Sequence, residues 1–280
     1  QHTSSSQTWE YTIDAAHPNG TVVEVSNCIF KGVFSGTADN IYAIFNRSDS
    51  GVYRTLKAWN NIIYDYINGA NSLRSITSTN GTNTVYAFNN TIVNCYIGFS
   101  PGGTFVVKNN IAQNSGSAGY SGTFHASSTN NLSDLADSPG SNPQNSKTVS
   151  FISSSTSDFH LSPTDASAKN AGVDLSADAN LSFTTDIDGQ TRSGSWDIGA
   201  DEFVNTNPNA PVSLGQYASG CSSAISTSTY WIATSTICFS GLVSDSDLYD
   251  LEKLQIELST STFSNSPNYT VSTFTTSTAT

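Results

Sequence analysis

The 280 residues suffice for two ordinary domains. A net charge of −12 and a pI near 4.4 set the surface against nucleic-acid phosphates and anionic membranes, and no run of about 20 apolar residues offers a membrane-spanning helix. Charged residues make up only 11%, against a usual share of about 25%, and Ser, Thr, Asn and Gly fill the gap, a mixture suited to short strands and turns. The sequence contains no Met, which points to a mature form or a segment of a longer protein.

In chain order, five segments look alike: SNCIF at 26–30, NNIIY at 60–64, NNTIV at 89–93, NNIAQ at 109–113 and NNLSD at 130–134. Their second Asn residues are Asn27, Asn61, Asn90, Asn110 and Asn131, spaced 34, 29, 20 and 21 apart. A period near 20, enlarged twice by inserted loops, predicts stacked turns of β-strands that bury a shared core. The flanking stretches TVYAFNN and TFVVKNN alternate as strands do, and SPGG and NSGSAG separate them as turns. Asn in one column suits a left-handed corner and an amide ladder running from one repeat to the next, so these five Asn are read as architectural. Cys28 and Cys95 are expected to be buried thiols.

These repeats resemble the right-handed parallel β-helix of the pectate-lyase-like superfamily. The stretches DFHLSPTDASAKNAGVDLS (158–176) and DIDGQTRSGSWDIGADEF (186–203) are similar to the closing segment of bacterial surface β-helix proteins, with departures at Asp165, Lys169 and Asn170. The resemblance covers roughly residues 10 to 204. It implies an all-β chain whose first domain, 1–204, is a β-helix with a cap from about 150 to 204, in a secreted or cell-surface protein. The cap is expected to close the open end of the stack. Arg192 is expected to pair with Asp186, Asp188 or Asp197, and Trp196 and Phe203 to cover the last repeat. DIDG at 186–189 is read as a turn, with calcium the one cofactor left open and no metal ligand assigned. His160, in the cap, is read as structural.

Residues 205–211, NTNPNAP, read as a linker. From 212 to 280 the sequence is similar to an Ig-like or fibronectin-type sandwich module, too short to be complete. Asp245, Asp247 and Asp250 cluster in one of its turns. A disulfide between Cys221 and Cys238, with 16 residues between them, is expected if the Cβ geometry allows it.

The sequence assigns no catalytic residue. The two enlarged repeats gather acids, bases and aromatics, and loops inserted on one side of a solenoid build its binding surface. The candidate ligand-binding set is Asp39, Asp49, Arg54, Trp59, Tyr64, Asp65, Tyr66 and Arg74. Aromatic faces stack on sugar rings, so the expected partner is a glycan or other cell-surface ligand rather than nucleic acid or lipid. The alternative is a polysaccharide lyase or glycoside hydrolase whose groove lies partly outside this segment.

Overall fold

The computed structural model describes residues 2–4, 10–14, 20–34, 41–46, 53–67, 74–78, 83–204, 209–217, 238–244, 251–252, 255–256, 269–270 and 275–276. The chain divides into two compact units, 1–203 and 204–280. Both are all-β. The described residues hold one short 3₁₀ turn, Ser154–Thr156, and no helix long and apolar enough to cross a membrane.

The first unit is built from three parallel sheets. Strands His2–Ser4, Ile29–Phe34, Ile62–Tyr64, Thr91–Val93, Ile111–Gln113, Leu132–Ser133 and Gln144–Asn145 form a seven-stranded sheet in that order. Glu10–Asp14, Ile41–Asn46, Arg74–Ser78, Ile97–Ser100 and Ala118–Tyr120 form a five-stranded sheet. Thr21–Ser26, Arg54–Trp59, Thr84–Phe88 and Thr104–Lys108 form a four-stranded one. From His2–Ser4 to Ala118–Tyr120 successive strands visit the three sheets in turn, so each pairs with the strand three elements later; Leu132–Ser133 and Gln144–Asn145 then extend the seven-stranded sheet without this rotation. This topology is compatible with a solenoid.

Alternation sets which side chains enter the core. In Arg54–Trp59, residues Leu56 and Ala58 point inward and join Val85, Ala87, Phe105 and Val107 from the next two strands. Ile63, Ile92 and Ala112 meet them from the seven-stranded sheet. The outward residues of that sheet, Ile62, Tyr64, Val93, Ile111 and Leu132, are also buried. A sheet covered on both faces reads as an unbroken apolar run, which is why IIY and TIV lack alternation.

Two corners carry the chain between sheets, and both use Asn or Asp in the left-handed region. At the first, Asn27, Asn60, Asn89, Asn109 and Asn130 have φ between 49° and 53°. At the second, Asp65, Asn94 and Asn114 have φ of 60°, 54° and 56°. Short amide and carboxylate side chains tolerate this conformation better than other non-glycine residues.

The residue after the first corner turns inward and forms the ladder. Asn61 Nδ2 donates to Asn90 Oδ1 at 3.0 Å, Asn90 Nδ2 to Asn110 Oδ1 at 3.0 Å, and Asn110 Nδ2 to Asn131 Oδ1 at 3.0 Å. Each Oδ1 also accepts the backbone N–H of the preceding repeat. Corner and ladder are therefore two adjacent columns, not one. Asn27 falls in the corner column, and its N–H donates to Trp59 O as that of Asn60 does to Phe88 O. The ladder position of the first repeat belongs to Cys28, 33 residues before Asn61. Its N–H donates to Asn61 Oδ1 and its thiol to Ser26 O at 3.1 Å.

Tyr66 follows the second corner and lies wholly inside the core, its hydroxyl 2.8 Å from Thr12 Oγ1. Burial raises its pKa to about 12, against the opposing hydrogen bond with Thr12. A raised tyrosine pKa means that the unfolded chain loses the proton first, so stability falls as pH rises from about 10 to about 12. Tyr66→Phe is expected to remove up to about 2–3 kcal/mol of that alkaline loss. Urea denaturation of both proteins across that pH range checks this. Parallel pH profiles would refute it.

The segment 149–203 does not close the end of the stack. It runs along the flank of the seven- and four-stranded sheets. Val149, Phe151, Phe159, Leu161, Ile198 and Ala200 pack on Ile62, Tyr64, Val93, Ile111 and Leu132. Leu175, Leu181 and Trp196 pack on Phe88 and Val106. The corner Asn column pins this strap. Asn60 donates to Thr185 O, Asn89 to Asp197 O and Gly199 O, Asn109 to Val173 O, and Asn130 to Ala171 O, all at 2.7 to 2.9 Å. The physical reason is the sheet itself. A parallel sheet with an apolar outer face needs cover along its length. Gly199 marks the closest approach. Its φ is +105°, and a Cβ there would lie 2.5 Å from Ile111 Cδ1.

In the second unit the described strand pairs are antiparallel: Val212–Tyr217 with Cys238–Leu242, Leu251–Glu252 with Thr275–Thr276, and Gln255–Ile256 with Tyr269–Thr270. Cys238 is disulfide-bonded, while Cys28 and Cys95 are free thiols. Cys221 and the Asp245, Asp247 and Asp250 turn lie outside the described residues.

Candidate functional site

The structure disperses the sequence-predicted ligand set. Asp39, Asp49 and the Arg74 side chain lie outside the described residues. Tyr66 is core. Tyr64 is buried under the strap, its ring 5.0 Å from that of Phe159. Arg54 shares the inward parity of Leu56 and is buried. Asp65 serves its corner, accepting from Asn94 Nδ2 at 2.8 Å. Arg54 and Tyr66 face inward, Tyr64 faces outward but is covered by the strap, and Asp65 holds its corner. Of the described members of the set, Trp59 lines an open groove.

That groove follows from the outer face of the four-stranded sheet. Parity sends Glu24, Lys57 and Trp59 outward, and register sets Glu24 beside Lys57. Lys57 Nζ lies 3.4 Å from Glu24 Oε1. The strap supplies the opposite wall, Asp178 to Ser182, and the groove encloses about 320 Å³. Asp178 builds this wall. Its Oδ1 accepts the N–H groups of Asn180 and Leu181, and its Oδ2 meets Lys108 Nζ at 2.6 Å. Burial opposes the charge on Asp178, yet the Lys108 ammonium and the two amides hold its pKa below the usual carboxylate range. Trp59 is half-buried, with its ring centroid 6.3 Å from that of Phe183. Asn180 and Ser182 are exposed on the rim. The groove thus presents an aromatic ring, an amide, a hydroxyl and a charge pair.

A second constellation lies on the strap. The antiparallel pair of Phe151–Ser153 with Asp158–Leu161 carries His160. Its Nδ1 lies 2.5 Å from Asp158 Oδ1 and its Nε2 2.9 Å from Asp188 Oδ2. Asp201 completes the group; its Oδ2 accepts Leu161 N–H at 2.7 Å. One ligand atom each from His160, Asp188 and Asp201 lies within 4.8 Å of the others. Burial lowers the His160 pKa, but the hydrogen bond to Asp158 and the charges of Asp201, Asp188 and Asp158 outweigh it, and the net shift is upward. Burial raises Asp201 to about 6. The Leu161 amide and His160 oppose that rise, and Asp186 and Asp188 add to it.

The other cap residues hold the strap together. Asp186 is fully buried. Its Oδ1 accepts the amides of Asp188 and Gln190 and its Oδ2 that of Glu202, so its oxygens serve a turn. Asp197 accepts from Asn170 and Phe203. Arg192 does not pair with Asp186, Asp188 or Asp197. Its Nη1 lies 3.0 Å from Glu202 Oε2, and its Nη2 donates to Asn60 Oδ1, Gly199 O and Ala200 O. The oxygens of Asp186 and Asp197 are engaged by backbone amides, and Glu202, which accepts the Asp197 amide as well, takes the guanidinium. Asp165, a departure from the cap pattern, accepts four backbone amides and fits its place. Phe203 stacks beneath Lys169 Nζ, 3.8 Å from its ring centroid.

Sequence reasoning missed Glu24, Asp178 and Asn180 as groove residues and His160 as the centre of an acidic cluster. The visible signal for the latter was the spacing Asp158-x-His160 inside the strap. For the groove there was none, because its walls come from segments over 100 residues apart. No family model, no curated protein and no solved structure matches the chain.

Proposed function

We propose that the first unit is a right-handed parallel β-helix of the pectate-lyase-like kind, in a secreted or cell-surface protein that binds glycans, with an Ig-like module after it. The groove at Trp59 carries this reading. An indole beside an amide, a hydroxyl and a charged pair offers a sugar a stacking face and hydrogen-bond partners at once. The wall charges of Glu24 and Asp178, in a chain of net charge −12, disfavour polyuronates and favour neutral sugars.

A printed array of neutral and acidic polysaccharide fragments, probed with the full chain, tests the reading. Binding to neutral members is expected. Trp59→Ala is expected to weaken it about ten-fold or more, the worth of one lost stacking contact. Asn180→Ala and Ser182→Ala, both on exposed rim positions, are expected to weaken it less without touching the core. An array with no bound member, or equal binding by all three variants, sinks the proposal. Release of cleaved product from a bound fragment would move the reading to a polysaccharide-cleaving enzyme.

A further inference from the structure

The His160 cluster, ion-paired on both ring nitrogens, also has ligand types and spacing that a metal ion can use. Asp158 engages Nδ1, which fixes the ring and leaves Nε2 facing Asp188, with Asp201 inside the same 4.8 Å group. A carboxylate on the far imidazole nitrogen is the usual support of a ligating histidine, because it sets the tautomer and raises the basicity of the ligating nitrogen. The two carboxylates arrive from different parts of the strap. Asp188 comes from the 186–189 turn and Asp201 from its end.

Asp201 adds an independent observation. It is 5% exposed, and among the described residues its carboxylate receives one hydrogen bond, from Leu161 N–H. A buried carboxylate accepts several hydrogen bonds or binds a cation. Its neighbours in the strap show the contrast: Asp186 accepts three amides and Asp165 four. Three carboxylates, Asp158, Asp188 and Asp201, surround a single imidazole, with Asp186 close behind. Among the described residues the cation in ion-pair contact with Asp158 and Asp188 is His160, and the Arg192 charge reaches Asp201 and Asp186 from a distance. Arg192 is turned to Glu202 and to backbone carbonyls.

We propose that His160, Asp188 and Asp201 bind a divalent transition-metal cation, with Asp158 as the positioning residue. One imidazole nitrogen and two carboxylate oxygens suit Zn²⁺ or Co²⁺. They do not suit Ca²⁺, which takes six to eight oxygens. The ion displaces the proton that Nε2 shares with Asp188, so that proton leaves to solvent on binding. The site joins the hairpin at 158–161, the turn at 186–189 and the end of the strap, and its occupation clamps three strap segments. His160 and Asp188 are partly exposed, which gives the ion a way in.

The test titrates the full chain with ZnCl₂, CoCl₂ and CaCl₂ separately by calorimetry, and follows thermal unfolding in parallel. Zn²⁺ and Co²⁺ are expected to bind one per chain with micromolar or tighter affinity and to raise the melting temperature. Co²⁺ is expected to give a visible ligand-field band. Ca²⁺ is expected to do neither. His160→Gln and Asp188→Asn are each expected to abolish the band. Asp158→Asn is expected to weaken Co²⁺ binding about 10- to 100-fold while keeping it. Asp188 is the more exposed partner, so Asp188→Asn reports on the site even if His160→Gln disturbs the hairpin. Binding only in the millimolar range overturns the proposal. So does Zn²⁺ or Co²⁺ binding that survives Asp188→Asn unchanged.

Discussion

Asn90→Ala is expected to lower the stability of the first unit by about 4 kcal/mol or more. Asn90 sits in the middle of the amide ladder and is fully buried. Its Nδ2 donates to Asn110 Oδ1 at 3.0 Å and to Ala58 O at 2.9 Å, and its Oδ1 accepts Asn61 N–H and Asn61 Nδ2. Alanine fills none of these roles. It strands the Asn61 amide hydrogen and one side-chain donor of Asn61 where water does not reach, and it takes one hydrogen bond from the Ala58 carbonyl. Each stranded group costs about 1–3 kcal/mol, and the cavity left by the amide adds to that. The matched control is Asn94→Gly at the second corner. Asn94 has the same left-handed backbone, but its side chain faces outward and donates to Asp65. Glycine keeps the φ of 54° without strain, so the control is expected to cost about 1 kcal/mol or less. Urea denaturation of the three proteins decides between the two outcomes. A cost for Asn90→Ala as small as that of the control would show that the ladder is decoration.

The ladder also marks what the sequence made legible. An Asn doublet every 20 or so residues, between β-branched runs, fits stacked strands turned at left-handed corners, and the parallel sheets follow from it. The two jobs of Asn, however, fall on adjacent residues. The first of each pair takes the left-handed corner and the second takes the ladder. SNCIF hides this, because its single Asn sits in the corner column while Cys28 stands in the ladder. The thiol is a weak donor but finds Ser26 O, so the column survives the exchange. The second corner is also encoded locally. Asp65, Asn94 and Asn114 each lie five residues after the first Asn of a pair. Without a doublet, that column does not stand out among the many polar residues of the turns.

The placement of the strap is not readable in the same way. Asn60 bonds Thr185 and Arg192 across 125 and 132 residues, and no local pattern encodes such a distance. The closing segment is visible as a unit, with DIDG as a turn. Its position on the flank depends on an apolar outer face of the seven-stranded sheet, and Ile62, Val93 and Ile111 do spell that face once the sheet is known. Tyr64 and Tyr66 resemble ligand-facing residues for the same reason. A sheet buried on both sides makes an aromatic look available in sequence when the strap or the core has already covered it.

The strap itself is held by one buried cation, and its removal is the second large effect. Arg192 has no exposed side-chain surface. Its guanidinium ties Glu202 and the carbonyls of Gly199 and Ala200 to Asn60, and so ties strap to sheet. Arg192→Met matches much of the volume but leaves Glu202 buried without its counter-charge. Breaking a buried pair on one side costs about 3–5 kcal/mol. The loss is expected to be local first. Hydrogen exchange should accelerate across 149–203 while the ladder strands stay protected, because the strap has its own contacts and opens as its own unit. Undocking bares Ile62, Val93, Ile111 and Leu132, so the variant is also expected to aggregate at concentrations where the parent does not. Adding Glu202→Gln is expected to restore part of the stability. Glutamine still accepts the Asp197 amide through its Oε1, and the stranded charge is gone. If Arg192→Met unfolds strap and sheets together, with uniform exchange, the strap is not a separate unit but an integral wall of the core. If the double variant is no more stable than the single one, the cost lies in the lost carbonyl contacts and not in the stranded charge.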